Sequence, residues 1–445
     1  MNDMTGPLTG EVSVPGDKSI SHRAVMFGAL AKGDTRIRGF LNGADCLSTI
    51  DCFCRLGIEI ESYPSYGSAP GDVLVHGRGL HGLSPSSVYI DHENCVELYT
   101  GNSGTTTRIM SGILSAQSFS SILSGDASVN RRPMKRVTDP LKEMGADISS
   151  LNEDGCAPLL IRGNNPLKGI VYSSPVASAQ VKSAILCAGL YADGPVKVYE
   201  PALSRDHTER MLKMFGAYVF QGRENGRWYA SVKPCGDLYA PQIIVPGDIS
   251  SAAFLIAAAL MIKGSDILIR SVGINPTRSG ILTVLKEMGA DITIENITSV
   301  AEPYADLRVR YSDLHGTVIE GGIIPSLIDE LPVIAVIASA AEGATVIRDA
   351  AELKVKESDR IALVTQNLQA MGADITATED GFVINGPCRL HGAAIRTDGD
   401  HRIAMSFAVA GLAADGDTVI DAPACVSVSY PGFYDTIERL GGEAP

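Results

Sequence analysis

Six stretches of the chain read as helices that are apolar on nearly every side: "SHRAVMFGALA", "TTTRIMSGILSA", "SAQVKSAILCAGLYA", "SSAAFLIAAALMI", "ELPVIAVIASAAE" and "HRIAMSFAVAGLAA". All are rich in Ala and carry almost no charge after their first turn, which predicts buried helices. A Ser/Thr/Asp-rich turn precedes each one. A Gly-containing turn, a short strand and an amphipathic helix such as "TDPLKEMG" or "ILTVLKEMG" follow. The units close on related phrases: "RLGIEI" from Arg55, "EMGADI" from Glu143, "MFGAYV" from Met214, "EMGADI" from Glu287, "AMGADI" from Ala370 and "RLGGEA" from Arg439. The phrases recur roughly every 70 to 90 residues, each with a glycine where a helix ends and a strand begins.

A second repetition is coarser. "VPGD" stands before the first buried helix, at Val14–Asp17, and before the fourth, at Val245–Asp248. Alone it is ordinary helix-start chemistry, since Pro, Gly and Asp commonly open a helix. Its coincidence with units one and four makes both copies crossovers between two domains of three units each. The expected boundaries are 1–15 plus 246–445 for one domain and 16–245 for the other, with crossings near 15–19 and 245–250.

Composition fits this picture. At 445 residues the chain exceeds one comfortable core, and 45% hydrophobic, 20% charged and 6% aromatic residues with 46 glycines describe a soluble α/β protein. A net charge of −14 argues against a nucleic-acid surface, so an anionic ligand needs a local positive pocket. Nine cysteines without a C-x-x-C pair fit a reducing cytosol. The start "MNDMTGPLTG" has no secretory pattern, and the longest apolar runs fall short of the roughly 18 residues of a membrane span.

The candidate chemistry gathers where the buried helices begin: "GDKSISHR", "GNSGTTTR", "VASAQVK", "PGDISS", "SLIDE" and "DGDHR". Helix N-termini carry unpaired N–H groups and partial positive charge, so several converging ends make an anion site. Lys18, Arg23, Arg108, Lys182 and Arg402 stand at these starts. Loops and second helices add "NRRPMKR", "SRDHTER", "NPTR" and "LKVKESDR". Guanidinium groups bind carboxylate or phosphate in parallel pairs, so this number of them implies a small ligand with several anionic groups. Acid and base candidates are Asp329, Glu330 and Glu357, each of which could instead serve as a helix cap. The pairs Asp91-His92, Asp206-His207 and Asp400-His401 lack metal-site spacing, and neither a Walker A frame nor a G-x-S-x-G elbow is present.

Taken together, "PGDKSISHR", "GNSGTTTR", "RRPMKRV", "SAQVKSAILCAGL", "SRDHTERML", "NPTR", "IDELP", "VKESDR" and "DHRIAMSFAVAG" closely resemble the 3-phosphoshikimate 1-carboxyvinyltransferase family, from about Gly10 to about Ile437. The forms "GDKS", "SAQVK" and "NPTR" are similar to its class II branch, many of whose members tolerate glyphosate. The resemblance implies a two-domain inside-out α/β fold, with three repeated βαβαββ units per domain and buried parallel helices. It implies transfer of the enolpyruvyl group of phosphoenolpyruvate to the 5-hydroxyl of shikimate 3-phosphate, with release of phosphate and no metal or organic cofactor. A cytoplasmic monomer is expected, with glyphosate as inhibitor at the phosphoenolpyruvate site and neither nucleic acid nor membrane as partner.

By the same resemblance, Lys18, Ser19, Arg23, Ser178, Ala179, Gln180, Arg205, Asp329 and Lys356 would hold shikimate 3-phosphate. Lys18, Gly104, Arg132, Gln180, Arg360 and Arg402 would surround phosphoenolpyruvate. Asp329 would serve the 5-hydroxyl and Glu357 the methylene carbon, with Lys18 also catalytic, and domain closure would exclude water. Two departures stand out: Val428 lies where many members carry lysine, and Gly104 lies where some tolerant members have alanine. The nearest rival is the UDP-N-acetylglucosamine enolpyruvyltransferase family, which shares the six-unit fold. From another class, a catalytically dead anion-binding relative would keep that fold, because fold alone does not secure function.

Overall fold

The six apolar stretches are helices: Lys18–Leu30, Gly104–Leu114, Ala179–Gly189, Ile249–Met261, Leu331–Ala340 and His401–Leu412. The computed structural model describes residues 6–63, 71–89, 95–163, 166–299 and 301–441. The Asp91-His92 pair and the last residues of "RLGGEA" lie outside the described residues. All-round burial follows from composition. Every residue of Ile20–Leu30 and of Ile249–Leu260 is buried, because small side chains let neighbouring elements approach from all sides.

The chain divides into two compact units, one formed by the residues through Asp17 with those from Pro246 onward, the other lying within Lys18–Val245. In the Lys18–Val245 unit, three sheets follow one plan, a parallel pair extended by two antiparallel strands. Val171–Ser173 runs parallel to Val196–Glu200, which pairs with Arg227–Val232 and then Val219–Glu224. Cys95–Tyr99, Ser120–Ser124, Leu159–Arg162 and Asp147–Ser150 repeat the order. In the third sheet, Ala31–Phe40, Gly71–Arg78 and Glu59–Tyr63 are joined by Leu238–Tyr239 and Gln242–Ile244. One core fills this unit, with Phe27 edge-on to Phe215 at 5.9 Å.

The other unit has its own core around the Ile249–Met261 and Leu331–Ala340 helices. Thr9–Ser13 runs parallel to Asp266–Gly273, followed by Tyr304–Arg310 and Asp291–Thr298. Val318–Ile319, Gly343–Ile347, Phe382–Gly386 and Asp374–Ala377 form the next sheet. The sixth repeat departs from the plan: its sheet is a single parallel pair, Ala394–Ile395 with Val419–Ile420. The glycine of the closing phrase agrees. Gly57, Gly145, Gly216, Gly289 and Gly372 take positive φ between helix and strand, whereas Gly441 ends the last described helix.

The two "VPGD" copies meet one another. Asp17 N donates to Pro246 O at 2.8 Å, Asp248 N donates to Pro15 O at 2.9 Å, and Gly16 bridges Gly247. The strand before each copy joins a sheet of one unit and the helix after it belongs to the other. Thr9–Ser13 thus completes the sheet of the fourth repeat, and Gln242–Ile244 that of the first. Asp248 also caps the helix it precedes, accepting from Ser250 N at 2.8 Å.

Candidate active site

In the Lys18–Val245 unit, three buried helices begin with the predicted residues. Arg23 is almost wholly buried and its guanidinium is spread over several oxygens: Thr208 Oγ1 at 2.7 Å, Ser183 Oγ at 2.9 Å, Ser19 O at 3.0 Å and Gln180 Oε1 at 3.5 Å. Gln180 in turn donates to Thr105 Oγ1 at 2.9 Å, joining the starts of the Ala179–Gly189 and Gly104–Leu114 helices. Ser178 and Ser103 cap these two helices through their hydroxyl groups, and Ala179 opens the first of them. Lys18 pairs with Asp45, which is buried on the neighbouring Ala44–Arg55 helix.

A side chain at Gly104 would displace two guanidinium groups. A Cβ there would stand 2.8 Å from Arg108 Nη1 and 2.9 Å from Arg132 Nη1. Arg132 is held by Asn102 Oδ1 at 3.0 Å and Ser128 Oγ at 3.2 Å. Its buried Nε has no protein partner. Arg205 lies half-buried just before the His207–Met214 helix.

In the other unit the cations lie on carboxylates. Arg360 is fully buried and donates to Asp400 through Nε at 2.8 Å and Nη2 at 3.2 Å, to Glu357 Oε2 at 2.6 Å and to Asp329 Oδ1 at 3.3 Å. Burial opposes its charge, but Asp400, Glu357 and Asp329 outweigh burial and hold it more firmly cationic than usual. Lys356 also reaches Asp329 Oδ1, at 3.2 Å, and Arg402 stands 3.9 Å from Oδ2 while donating to the Asp329 carbonyl at 3.3 Å. Asp329 therefore faces three cations. Asp400 does double duty, capping the His401–Leu412 helix through Arg402 N at 2.9 Å and clamping Arg360. Burial pushes its carboxyl up, Arg360 pulls it down, and the net direction is down.

One half thus holds hydrogen-bonded cations around helix starts, and the other holds carboxylates poised on cations. The first arrangement suits anionic ligands and the second suits proton transfer. A sequence model of the family "EPSP synthase (3-phosphoshikimate 1-carboxyvinyltransferase)" matches residues 3–437. The 3-phosphoshikimate 1-carboxyvinyltransferase of Brevibacillus brevis is 54% identical over 97% of both chains, and that of Pelotomaculum thermopropionicum is 53% identical over 97% of this chain and 96% of its own.

The chain belongs to the EPSP synthase family. It is an enolpyruvyl transferase by that membership, and the family uses shikimate 3-phosphate and phosphoenolpyruvate. A structure of EPSP synthase from Acinetobacter baumannii is 45% identical and superimposes with a TM-score of 0.85 over 98% of this chain and 96% of that one. The enolpyruvyl transferase NikO from Streptomyces tendae, 16% identical with a TM-score of 0.76, shares the fold over 99% of this chain and 98% of its own.

Against this EPSP synthase framework, three cations or carboxylates that the sequence put among the site candidates turn out to be internal. Lys182 is buried between Glu200 and Glu209, 2.8 Å from each, and those glutamates override the cost of burial and hold it charged. Arg278 and Glu330 pair with each other at 2.8 Å in the core, where Arg278 also meets Asp248. Whether the partner of a cation near a helix start is a fully buried carboxylate, as at Lys182 and Arg278, is set by distant segments and is not revealed by local sequence. Sequence reasoning also missed Asp45 and Asp400. Asp400 stands in "DGDHR", directly before an apolar helix, and that position was the usable signal for a cap.

Among the described residues, Glu59, Glu61 and His76 bring ligand atoms within 4.8 Å of one another on the outer sheet. The two ring nitrogens of His76 are taken by Asp34 and Glu61, at 2.9 and 3.0 Å. No helix among the described residues is long and apolar enough to cross a membrane.

Proposed function

We propose that this chain transfers the enolpyruvyl group of phosphoenolpyruvate to the 5-hydroxyl of shikimate 3-phosphate and releases phosphate. The observation that carries the residue roles is the convergence of Lys356, Arg360 and Arg402 on Asp329, with Glu357 on the same Arg360. Lys18, Ser19, Arg23, Ser178, Ala179, Gln180, Arg205 and Lys356 bind shikimate 3-phosphate. Lys18, Gly104, Arg132, Gln180, Arg360 and Arg402 take phosphoenolpyruvate. Two phosphates and two carboxylates require many donors, and neutral amides, hydroxyls and helix N–H groups supply those the cations leave unmet.

The carboxylates do the proton work. As the 5-oxygen bonds to C2 of phosphoenolpyruvate, Asp329 takes the hydroxyl proton and Glu357 gives a proton to the methylene carbon, which becomes a methyl group. In the second step the C2–O bond to phosphate breaks and the phosphate leaves with the proton that Asp329 took, while Glu357 recovers a proton from the methyl group and the double bond re-forms. The incoming ligand anions compete for Lys356, Arg360 and Arg402, so binding frees Asp329 and Glu357 from their resting partners. Lys18, drawn from Asp45, stabilises charge that grows on the reacting oxygens. The same reading makes the protein a cytoplasmic monomer whose phosphoenolpyruvate site also accepts glyphosate, with 1–15 plus 246–445 and 16–245 as its domains.

The test is phosphate release from phosphoenolpyruvate. It should require shikimate 3-phosphate and fall as glyphosate is titrated against phosphoenolpyruvate. Release that needs UDP-N-acetylglucosamine instead, or no release with either acceptor, would overturn the proposal.

A further inference from the structure

His22 stands between Lys18 and Arg23, is fully buried, and has no part in the chemistry above. Its Nδ1 lies 2.7 Å from Thr49 Oγ1. Thr49 Oγ1 lies 2.7 Å from Thr106 Oγ1, and Thr106 Oγ1 lies 2.6 Å from Ser103 Oγ. Ser103 Oγ accepts from Thr106 N at 3.1 Å, the cap of the Gly104–Leu114 helix. All four side chains are buried. A hydrogen-bonded network therefore ties three helices together and ends in the turn that carries Gly104; two longer contacts flank its short path, Thr49 Oγ1 to Asp45 O and Thr106 Oγ1 to His22 Nδ1, both at 3.5 Å.

Counting protons sets its direction. If Ser103 donates to Thr106, Thr106 to Thr49 and Thr49 to Nδ1, every hydroxyl proton is used once and Ser103 Oγ stays free to accept from the backbone. That arrangement puts the imidazole proton on Nε2, a buried nitrogen without a partner. With the proton on Nδ1 instead, Nε2 is unmet as an acceptor and the Thr49 proton must turn to Asp45 O, a contact of 3.5 Å in place of one of 2.7 Å. An imidazolium would add charge to the same defects. Burial, then Lys18, then Arg23 hold His22 in the neutral form, lowering it to about 3 against an opposing pull from Asp45.

We infer that His22 is a positioning residue for phosphoenolpyruvate: as terminal acceptor of the Thr49–Thr106–Ser103 chain, it fixes the first turn of the Gly104–Leu114 helix. This inference rests on the assignment above of Gly104, Arg132 and Gln180 to that substrate. The turn is packed against the candidate binding side chains. The Cβ position of Gly104 is within 3 Å of two arginines, and the adjacent Thr105 holds Gln180. A shift of Ser103 and Thr106 therefore moves the floor under Arg132.

The experiment compares Thr49→Val, His22→Leu, His22→Asn and the Thr49→Val/His22→Leu double variant. It measures kcat, the KM values of both substrates, and the Kd of phosphoenolpyruvate by calorimetry. Losing the chain should raise KM and Kd for phosphoenolpyruvate about tenfold in Thr49→Val and His22→Leu, with kcat and the shikimate 3-phosphate KM changed less than about twofold. The double variant should be no worse than either single one, because both cut one chain. His22→Asn, whose amide oxygen can accept from Thr49, should return to within about twofold of the wild type. If His22→Leu does not fold, Thr49→Val, isosteric and on another helix, decides the matter. Unchanged phosphoenolpyruvate affinity in Thr49→Val, equal losses for both substrates, or additive losses in the double variant would overturn the inference. A wild type that binds phosphoenolpyruvate but releases no phosphate would overturn the proposed reaction instead, with the Kd series still deciding the role of His22.

Discussion

Two arginines, each almost wholly buried at the start of a repeat's machinery, are treated in opposite ways. Arg23 donates to two hydroxyls, an amide and a backbone carbonyl. Arg360 donates to three carboxylates. Neutral oxygens orient a guanidinium without cancelling its charge, and these four contacts of Arg23 are all of that kind. Carboxylates cancel the charge until a stronger anion arrives, so Arg360 serves as a store for Glu357 and Asp329. On the proposed roles, the Lys18–Val245 unit supplies binding groups held by neutral oxygens, and the Pro246-onward unit supplies the acid and base together with the cations that hold them.

The largest test of this contrast is Glu357→Gln, which keeps the shape and removes the proton donor. Turnover should fall about 10²- to 10⁴-fold in a steady-state phosphate assay. Wild-type turnover would remove the carboxylate side of the comparison. Next comes stability. Arg360→Met strands Asp400 in the core and should cost about 3–5 kcal/mol in urea unfolding. Arg132→Met removes donors to Asn102 and Ser128 only and should cost about 1 kcal/mol. Equal losses would show that the two kinds of partner do not differ.

Gly104→Ala is smaller and more selective. The added methyl group pushes against Arg108 and Arg132, so the phosphoenolpyruvate KM should rise about tenfold, with glyphosate inhibition weakened at least as much and the shikimate 3-phosphate KM nearly unchanged. Parallel losses for both substrates would place Gly104 outside the phosphoenolpyruvate pocket.

A further effect, small at neutral pH, is linked to acidification. His22 is lowered to about 3 when folded. The unfolded chain therefore binds the extra proton between about pH 3 and pH 6.5, and stability falls as pH drops through that window. His22→Asn should flatten the acid limb by at most about 1.4 kcal/mol per pH unit. Asp400, lowered by Arg360 against burial, adds a loss below the ordinary carboxylate range of about 3.9, which His22→Asn leaves in place. An unchanged slope between pH 6.5 and pH 4 would argue against a neutral His22.

The features that were readable from sequence are those with local causes. Ala-rich helices without charge had to be buried, and "EMGADI" marks a helix end because a glycine there can take positive φ. The exchange of first strands at the crossings was not readable in that way. Thr9–Ser13 pairs with Asp266–Gly273, a partner more than 250 residues away, and nothing in "TGEVS" names it. The same limit applies to charge. Lys18, Arg23 and Lys182 look alike as cations near helix starts, yet Lys18 meets Asp45, Arg23 donates to hydroxyl groups, and Lys182 lies between Glu200 and Glu209. The sixth sheet lacks a hairpin among the described residues although its helix follows the repeat, because helix composition does not constrain the strands that come after it.

The division of labour itself is tested most directly by titrating shikimate 3-phosphate into Arg23→Met and Glu357→Gln under one set of conditions, following heat of binding. Arg23→Met should lose about tenfold to a hundredfold in affinity, the range for a charge-assisted hydrogen-bonding group, while Glu357→Gln should bind within about twofold of the wild type. Retained affinity in Arg23→Met together with a large loss in Glu357→Gln would contradict the account.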